Sequence, residues 1–230
     1  VKGNDIQKVN AKRIAGGLAE PIGIAVHDDR IFVLQKQELT ELIDHNGDEV
    51  IDEYRNVCNS WSVTANFHEF SFGLVAKDGY LWGNLAIAIE PGGASTWPQA
   101  KDRGKTIKID PDTGEYELVT SGLRTPNGIG EGTDGELYLS DNQGDWLPVS
   151  KILHYSPGAF YESRAVEGKD ANYPQVKKPV VWLPQDEIGN SPGNIQPLNN
   201  GKYINQMIHT DIHHGGIKRV FTEKVKGEYQ

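Results

Sequence analysis

A fourfold internal repeat constrains this chain more than any other feature. Segments 21–34 (PIGIAVHDDRIFVL), 71–84 (SFGLVAKDGYLWGN), 126–140 (PNGIGEGTDGELYLS) and 191–207 (SPGNIQPLNNGKYINQM) share one order of residue types. Each sets a glycine beside an apolar residue, then a short strand, a turn of Asp, Asn or Gly, and a second strand of alternating apolar residues. Gly23, Gly73, Gly128 and Gly193 anchor the copies, which gives a period of roughly 50 to 65 residues. A second hairpin follows each first one: ELTELIDHNGDEVIDEY, GKTIKIDPDTGEYELVT, SKILHYSPGAFYESRAV and GGIKRVFTEKVKGEYQ.

Two hairpins per repeat make four antiparallel strands, the blade of a β-propeller. The expectation is an all-β chain of four-stranded antiparallel blades at about 12–57, 62–121, 122–167 and 178–230, as a single domain or a fragment of one. Strand should occupy at least about 40% of the residues and helix under about 10%, in about sixteen strands. Turn chemistry agrees, because Asp112-Thr113-Gly114 and Asp134-Gly135 supply the positive φ of tight hairpins. A β-sandwich with coincidental hairpins is the alternative, and only Leu34 to Leu42 hints at helical spacing. Four blades suggest part of a six-bladed ring, since an open propeller leaves blade faces uncovered. The sequence opens at Val1 without a charged-then-apolar leader, which suits either a cleaved signal or a trimmed fragment.

Charge narrows the partners. With 23 basic and 32 acidic residues the net charge is −9, and no Lys/Arg stripe offers itself to a nucleic-acid backbone. No apolar run is long enough for a membrane helix. Cys58 is the one cysteine, so neither an internal disulfide nor a cysteine-based zinc site can form.

Read in order, the motifs A15-G-G-L-A-E-P21, F67-H-E-F-S-F-G-L74, K77-D-G-Y-L-W82, G104-K-T-I-K-I-D110 and G122-L-R-T-P-N-G128 resemble the glucose/sorbosone dehydrogenase family. Those are soluble sugar dehydrogenases that carry pyrroloquinoline quinone (PQQ) on a six-bladed propeller; the planctomycete-type members look most similar. The resemblance covers about 11–230. It implies hydride transfer from an aldose-type sugar to PQQ, with calcium beneath the cofactor, a possible cytochrome as electron acceptor, and a periplasmic or secreted location.

His68 occupies the place of the family's catalytic base, and an imidazole of ordinary pKa near 6.5 suits removal of a proton from an anomeric hydroxyl. Glu69, next in sequence, should point to the opposite face. The resemblance makes Arg124 a cofactor contact, with Asn127 and Gln143 beside it, and places Gly144 and Asp145 at the calcium. Thr125 stands where the family has Asn. The family's Gln after the second-blade hairpin is absent from Gly83–Ala86, and its late Lys is replaced in Ile212–Gly216.

Two further metal readings come from the residues themselves. Asp44, Asn46, Asp48 and Asp52 set oxygen donors at alternating positions of a loop, although Glu49 and Arg55 stand where an EF-hand needs Gly and Glu. His209 and His213 would share one face of a strand. Two other functions remain open. One is a calcium-dependent lactonase of the gluconolactonase type using Asn127 and Asp141. The other is a non-catalytic propeller that stacks sugars on Trp61, Trp82, Trp97, Trp146 or Trp182.

Overall fold

A computed structural model describes residues 10–144, 147–168 and 170–230. Its first sheet pairs β1 (Gly23–His27), β2 (Arg30–Leu34), β3 (Leu39–Ile43) and β4 (Glu53–Cys58) in order, all antiparallel. The second does the same with β5 (Ser71–Lys77), β6 (Tyr80–Leu85), β7 (Lys105–Ile109) and β8 (Tyr116–Leu118). The third comprises β9 (Gly128–Glu131), β10 (Leu137–Asp141), β11 (Val149–His154) and β12 (Val181–Pro184). These are propeller blades. Strands take a little over a third of the chain, below the expected share, because long loops separate blade elements.

The fourth sheet departs from expectation. It has three strands, β13 (Pro192–Leu198), β14 (Gln206–Asp211) and β15 (Ile217–Val220), with a 3-10 turn at Gly201–Tyr203 inside its first hairpin. The last hairpin, β16 (Lys224–Val225) with β17 (Glu228–Tyr229), forms a separate two-stranded piece. Its Tyr229 ring finds aromatic partners in the third blade, His154 at 4.5 Å and Tyr138 at 6.0 Å, and Glu228 pairs with Lys177 at 2.7 Å. The third blade also runs past the boundary expected at 167, because its outer strand is β12 and a loop over 157–178 precedes it.

Glycine repetition now has a physical cause. The first strands β1, β5, β9 and β13 pack side by side in chain order around the axis. A Cβ on Gly128 would meet Gly193 O at 2.6 Å, and one on Gly23 would strike Gly73 O. Backbone therefore approaches backbone where the blades converge, which only glycine permits. Apolar layers fill the wedges between blades. Phe32, Leu34, Leu74 and Leu81 join the first two, Trp82, Ile129 and Leu139 the next pair, and Tyr138, Ile195 and Met207 the last.

Leu34–Leu42 is not helical. Gln35 N–H donates to Glu38 O at 2.8 Å, closing a tight turn that pairs Leu34 with Leu39 across the strands. Among the described residues, no helix is long and apolar enough to cross a membrane.

Candidate functional site

His68 sits on the loop entering the second blade, and its neighbours fix that loop. Asn66 Oδ1 accepts the His68 N–H at 2.9 Å, while Asn66 Nδ2 donates to Ile89 O at 3.0 Å. Glu69, which follows a turn at Phe67–His68, lies fully buried 3.7 Å from Arg103. Arg103 donates to Ser62 O at 2.9 Å and Phe70 O at 3.0 Å, tying the loop from behind. Burial pulls the Arg103 guanidinium down to about 10, against the opposing charges of Glu69 and Asp102. Sequence reasoning missed Arg103, whose only signal is an arginine beside the G-K-T-I-K-I-D strand.

The loop entering the third blade carries Arg124. Its carbonyl accepts the Ile87 N–H at 2.9 Å, and its guanidinium donates to Gly93 O and to Thr125 Oγ1 at 3.3 Å. Thr125, in the place of the family's Asn, thus holds the arginine. The two loops meet. Burial first, and the Arg124 charge second, lower the His68 pKa below its ordinary value, with the Ile87 main chain opposing weakly. Both effects favour the neutral imidazole. Its Nδ1 is buried without a well-formed hydrogen bond, and its ring stands 5.5 Å from Phe70 and 6.0 Å from Phe67.

Asp141 closes the arrangement from below. Its carboxylate accepts the N–H groups of Arg124 at 3.2 Å and Thr125 at 2.8 Å, and pairs with the buried Lys151 at 3.0 Å. Both oxygens are thereby engaged by groups of the protein itself. Asn142 N–H donates to Thr125 O at 3.3 Å, so the segment after β10 joins the same site. Asn142 Oδ1 is buried with no hydrogen-bond partner among the described residues. Gln143 Oε1 accepts from Ser150 Oγ at 2.8 Å, and Gly144 exchanges main-chain hydrogen bonds with Leu147. Asn127 is half-buried just before β9. Asp145 and Trp146 lie outside the described residues.

The remaining candidates lie apart. Asp44, Asn46, Asp48 and Asp52 share the turn between β3 and β4, on the outer half of the first blade. Asp44 accepts N–H groups from Asn46, Gly47 and Glu49, Asn46 from Asp48, Asp48 from Val50, and Asp52 from His45. Their oxygens thus hold the turn itself, and the two shortest Asp44 bonds are both 2.8 Å. His209 is buried in β14, whereas His213 is exposed beyond the strand's end, so they share no strand face. Among the described residues, no three His, Cys, Asp or Glu side chains group as a metal site. Trp61 and Trp82 are core residues, while Trp97 and Trp182 are exposed.

Residues 8–190 match a family described as a domain of unknown function (DUF7133). No curated protein matches the sequence. Among solved structures the chain is similar to a glucose dehydrogenase, at 13% identity and TM-score 0.62 over 93% of this chain and 74% of the other. It is also similar to the calcium structure of a Trichoderma reesei carbohydrate-active enzyme of family AA12, at 14% identity and TM-score 0.62, covering 90% and 66%. The iodide structure of the same family from T. reesei gives 13% identity and TM-score 0.57 over 86% and 67%. At such identities the likeness is one of fold.

Proposed function

Because the chain belongs to the DUF7133 family, described as a domain of unknown function, its chemistry must come from its own residues, and we propose that it oxidises an aldose-type sugar with His68 as the base. The observation that carries this reading is that the loops bearing His68 and Arg124 are tied to one segment, Asn66 donating to Ile89 O at 3.0 Å and the Ile87 N–H to Arg124 O at 2.9 Å, which brings residues of two blades to one place. A neutral imidazole beside a fixed cation suits removal of a hydroxyl proton while negative charge develops nearby.

The donor set fits PQQ and calcium. Arg124 and Asn127 would hold the quinone, whose chemistry when bound is to accept hydride. Calcium favours neutral oxygens, and the unpartnered Asn142 Oδ1, next to Gln143 and Gly144, supports a cation there. A propeller of similar fold, the T. reesei AA12 enzyme, has been solved as a calcium structure, which supports the same choice. Within the chain, His68 Nδ1 is buried without a well-formed hydrogen bond, which leaves Nε2 as the nitrogen that would take the anomeric proton. Arg124 orients the charge, and Asp141 with Lys151 fixes the main chain of Arg124 and Thr125. A cytochrome acceptor and an extracytoplasmic location follow from this reading.

The test is reconstitution with PQQ and calcium, followed by a panel of aldoses and the spectrum of reduced quinone. His68→Ala should slow oxidation at least about a hundredfold while PQQ still binds, and the wild-type rate should fall as pH drops below the ordinary imidazole value. Unimpaired oxidation by His68→Ala would remove the assignment. Absence of any aldose oxidation in the reconstituted wild type would leave a non-catalytic propeller.

A further inference from the structure

Phe67 is 56% exposed, yet the loop that carries it is tied by several hydrogen bonds. Asn66 is bonded to both His68 and Ile89, Thr64 N–H donates to Glu69 Oε2, and Phe70 N–H donates to His68 O at 2.8 Å. A large apolar side chain on a floppy loop is ordinary surface. One displayed by a hydrogen-bonded loop beside a half-buried imidazole is a preorganised contact. Phe70 and Phe72, by contrast, turn inward, with rings 5.3 Å apart.

We infer that Phe67 is a positioning residue, the stacking platform for the sugar that His68 deprotonates. This rests on the sugar-oxidation reading above. Pyranose rings present an apolar C–H face that an aromatic ring covers well, while their hydroxyls lie around the rim. The Phe67 ring stands at 77° to the His68 ring with centroids 6.0 Å apart. A sugar resting on the exposed part of the phenyl ring would lie next to the imidazole, with its hydroxyl rim near it. Phe67 supplies no charge and no hydrogen bond, so it should act on binding of the sugar and not on the proton transfer.

The experiment has two arms. In the first, D-glucose, D-galactose, D-mannose and D-xylose are titrated into the protein without added cofactor and binding is followed by ligand-observed NMR. At least one aldose should bind the wild type, with Phe67→Ala weakening it roughly three- to tenfold and Phe67→Tyr restoring it. In the second arm, the reconstituted protein should show KM raised by a similar factor in Phe67→Ala with kcat little changed. Equal sugar affinity in Phe67→Ala and wild type, or no aldose binding by the wild type, would overturn the inference. Phe67-dependent binding without any oxidation would sink the oxidation reading and leave the platform standing.

Discussion

Asp141 and Asp211 end the second strand of consecutive blades, each after a hydroxyl residue, Ser140 or Thr210. Each carboxylate holds the loop that leads into its own blade. Asp141 accepts the N–H groups of Arg124 and Thr125, and Asp211 accepts that of Asn190 at 2.8 Å. Gln35 does the same in the first blade, accepting the Ala19 N–H. The two aspartates differ in how their charge is met. Asp141 is fully buried and paired, in strand register, with Lys151, itself 1% exposed. Among the described residues Asp211 has no such partner at close range, and it instead takes a second N–H, from His214, at 2.7 Å. One position thus serves as a buried ion pair beneath Arg124 and as a purely main-chain clamp in the neighbouring blade. Both carboxylates are buried, so the clamp itself does not require a cation, and Lys151 is what sets the Asp141 position apart.

The sharpest break in this comparison is Lys151→Met. It leaves the Asp141 charge buried and should cost about 3–5 kcal/mol, measured by urea unfolding. The double variant Lys151→Met/Asp141→Asn should recover much of that loss, because the buried charge goes with its partner. Additive losses would mean that the pair is not coupled.

Asp211→Asn should cost less, about 1–2 kcal/mol, since one amide oxygen can still accept from one N–H. Burial alone would raise the Asp211 pKa. The bonds from His214 and Asn190, aided by the Lys218 charge, outweigh it and hold the carboxyl below its usual range. Its contribution is therefore present above the ordinary aspartate value and lost as pH falls through the lowered one. A loss as large as that of Lys151→Met would erase the distinction between the two clamps.

The smallest effect concerns acid. Burial lowers the pKa of His68, His154 and His209 below 6.5. A lowered folded pKa gives stability that is present above about pH 6.5 and lost as pH falls through the folded values. The urea midpoint should hold between pH 7 and 8 and drop toward pH 5.5. His209→Gln should flatten that drop, and His154→Gln should flatten it independently. A midpoint unchanged across this range would show that these imidazoles do not feel their burial.

Much of the fold is legible because it repeats. Glycines at Gly23, Gly73, Gly128 and Gly193 mark where backbones touch, and tight turns such as Asp110–Gly114 carry their own hydrogen-bonding signal. The last hairpin escapes sequence reasoning for a related reason. Alternation around Lys224–Tyr229 describes a hairpin but not what it packs against, and Tyr229 is drawn to His154 and Tyr138. Trp61 and Trp82 look like sugar platforms in the sequence, but the wedges between blades absorb them. Arg103 and Lys151 resemble any strand-flanking cation until burial makes them matter.

By itself, then, the sequence determined the blade order and the close approaches at the axis, since these follow from local spacing and from what a Cβ can touch. Tertiary structure alone decided that His68 feels Arg124, that Asp141 is spent on main-chain N–H groups and Lys151, and that Phe67 is left bare beside the imidazole. Those facts depend on residues one blade apart and on which of them water can reach, and neither distance through space nor desolvation is written in the order of residues.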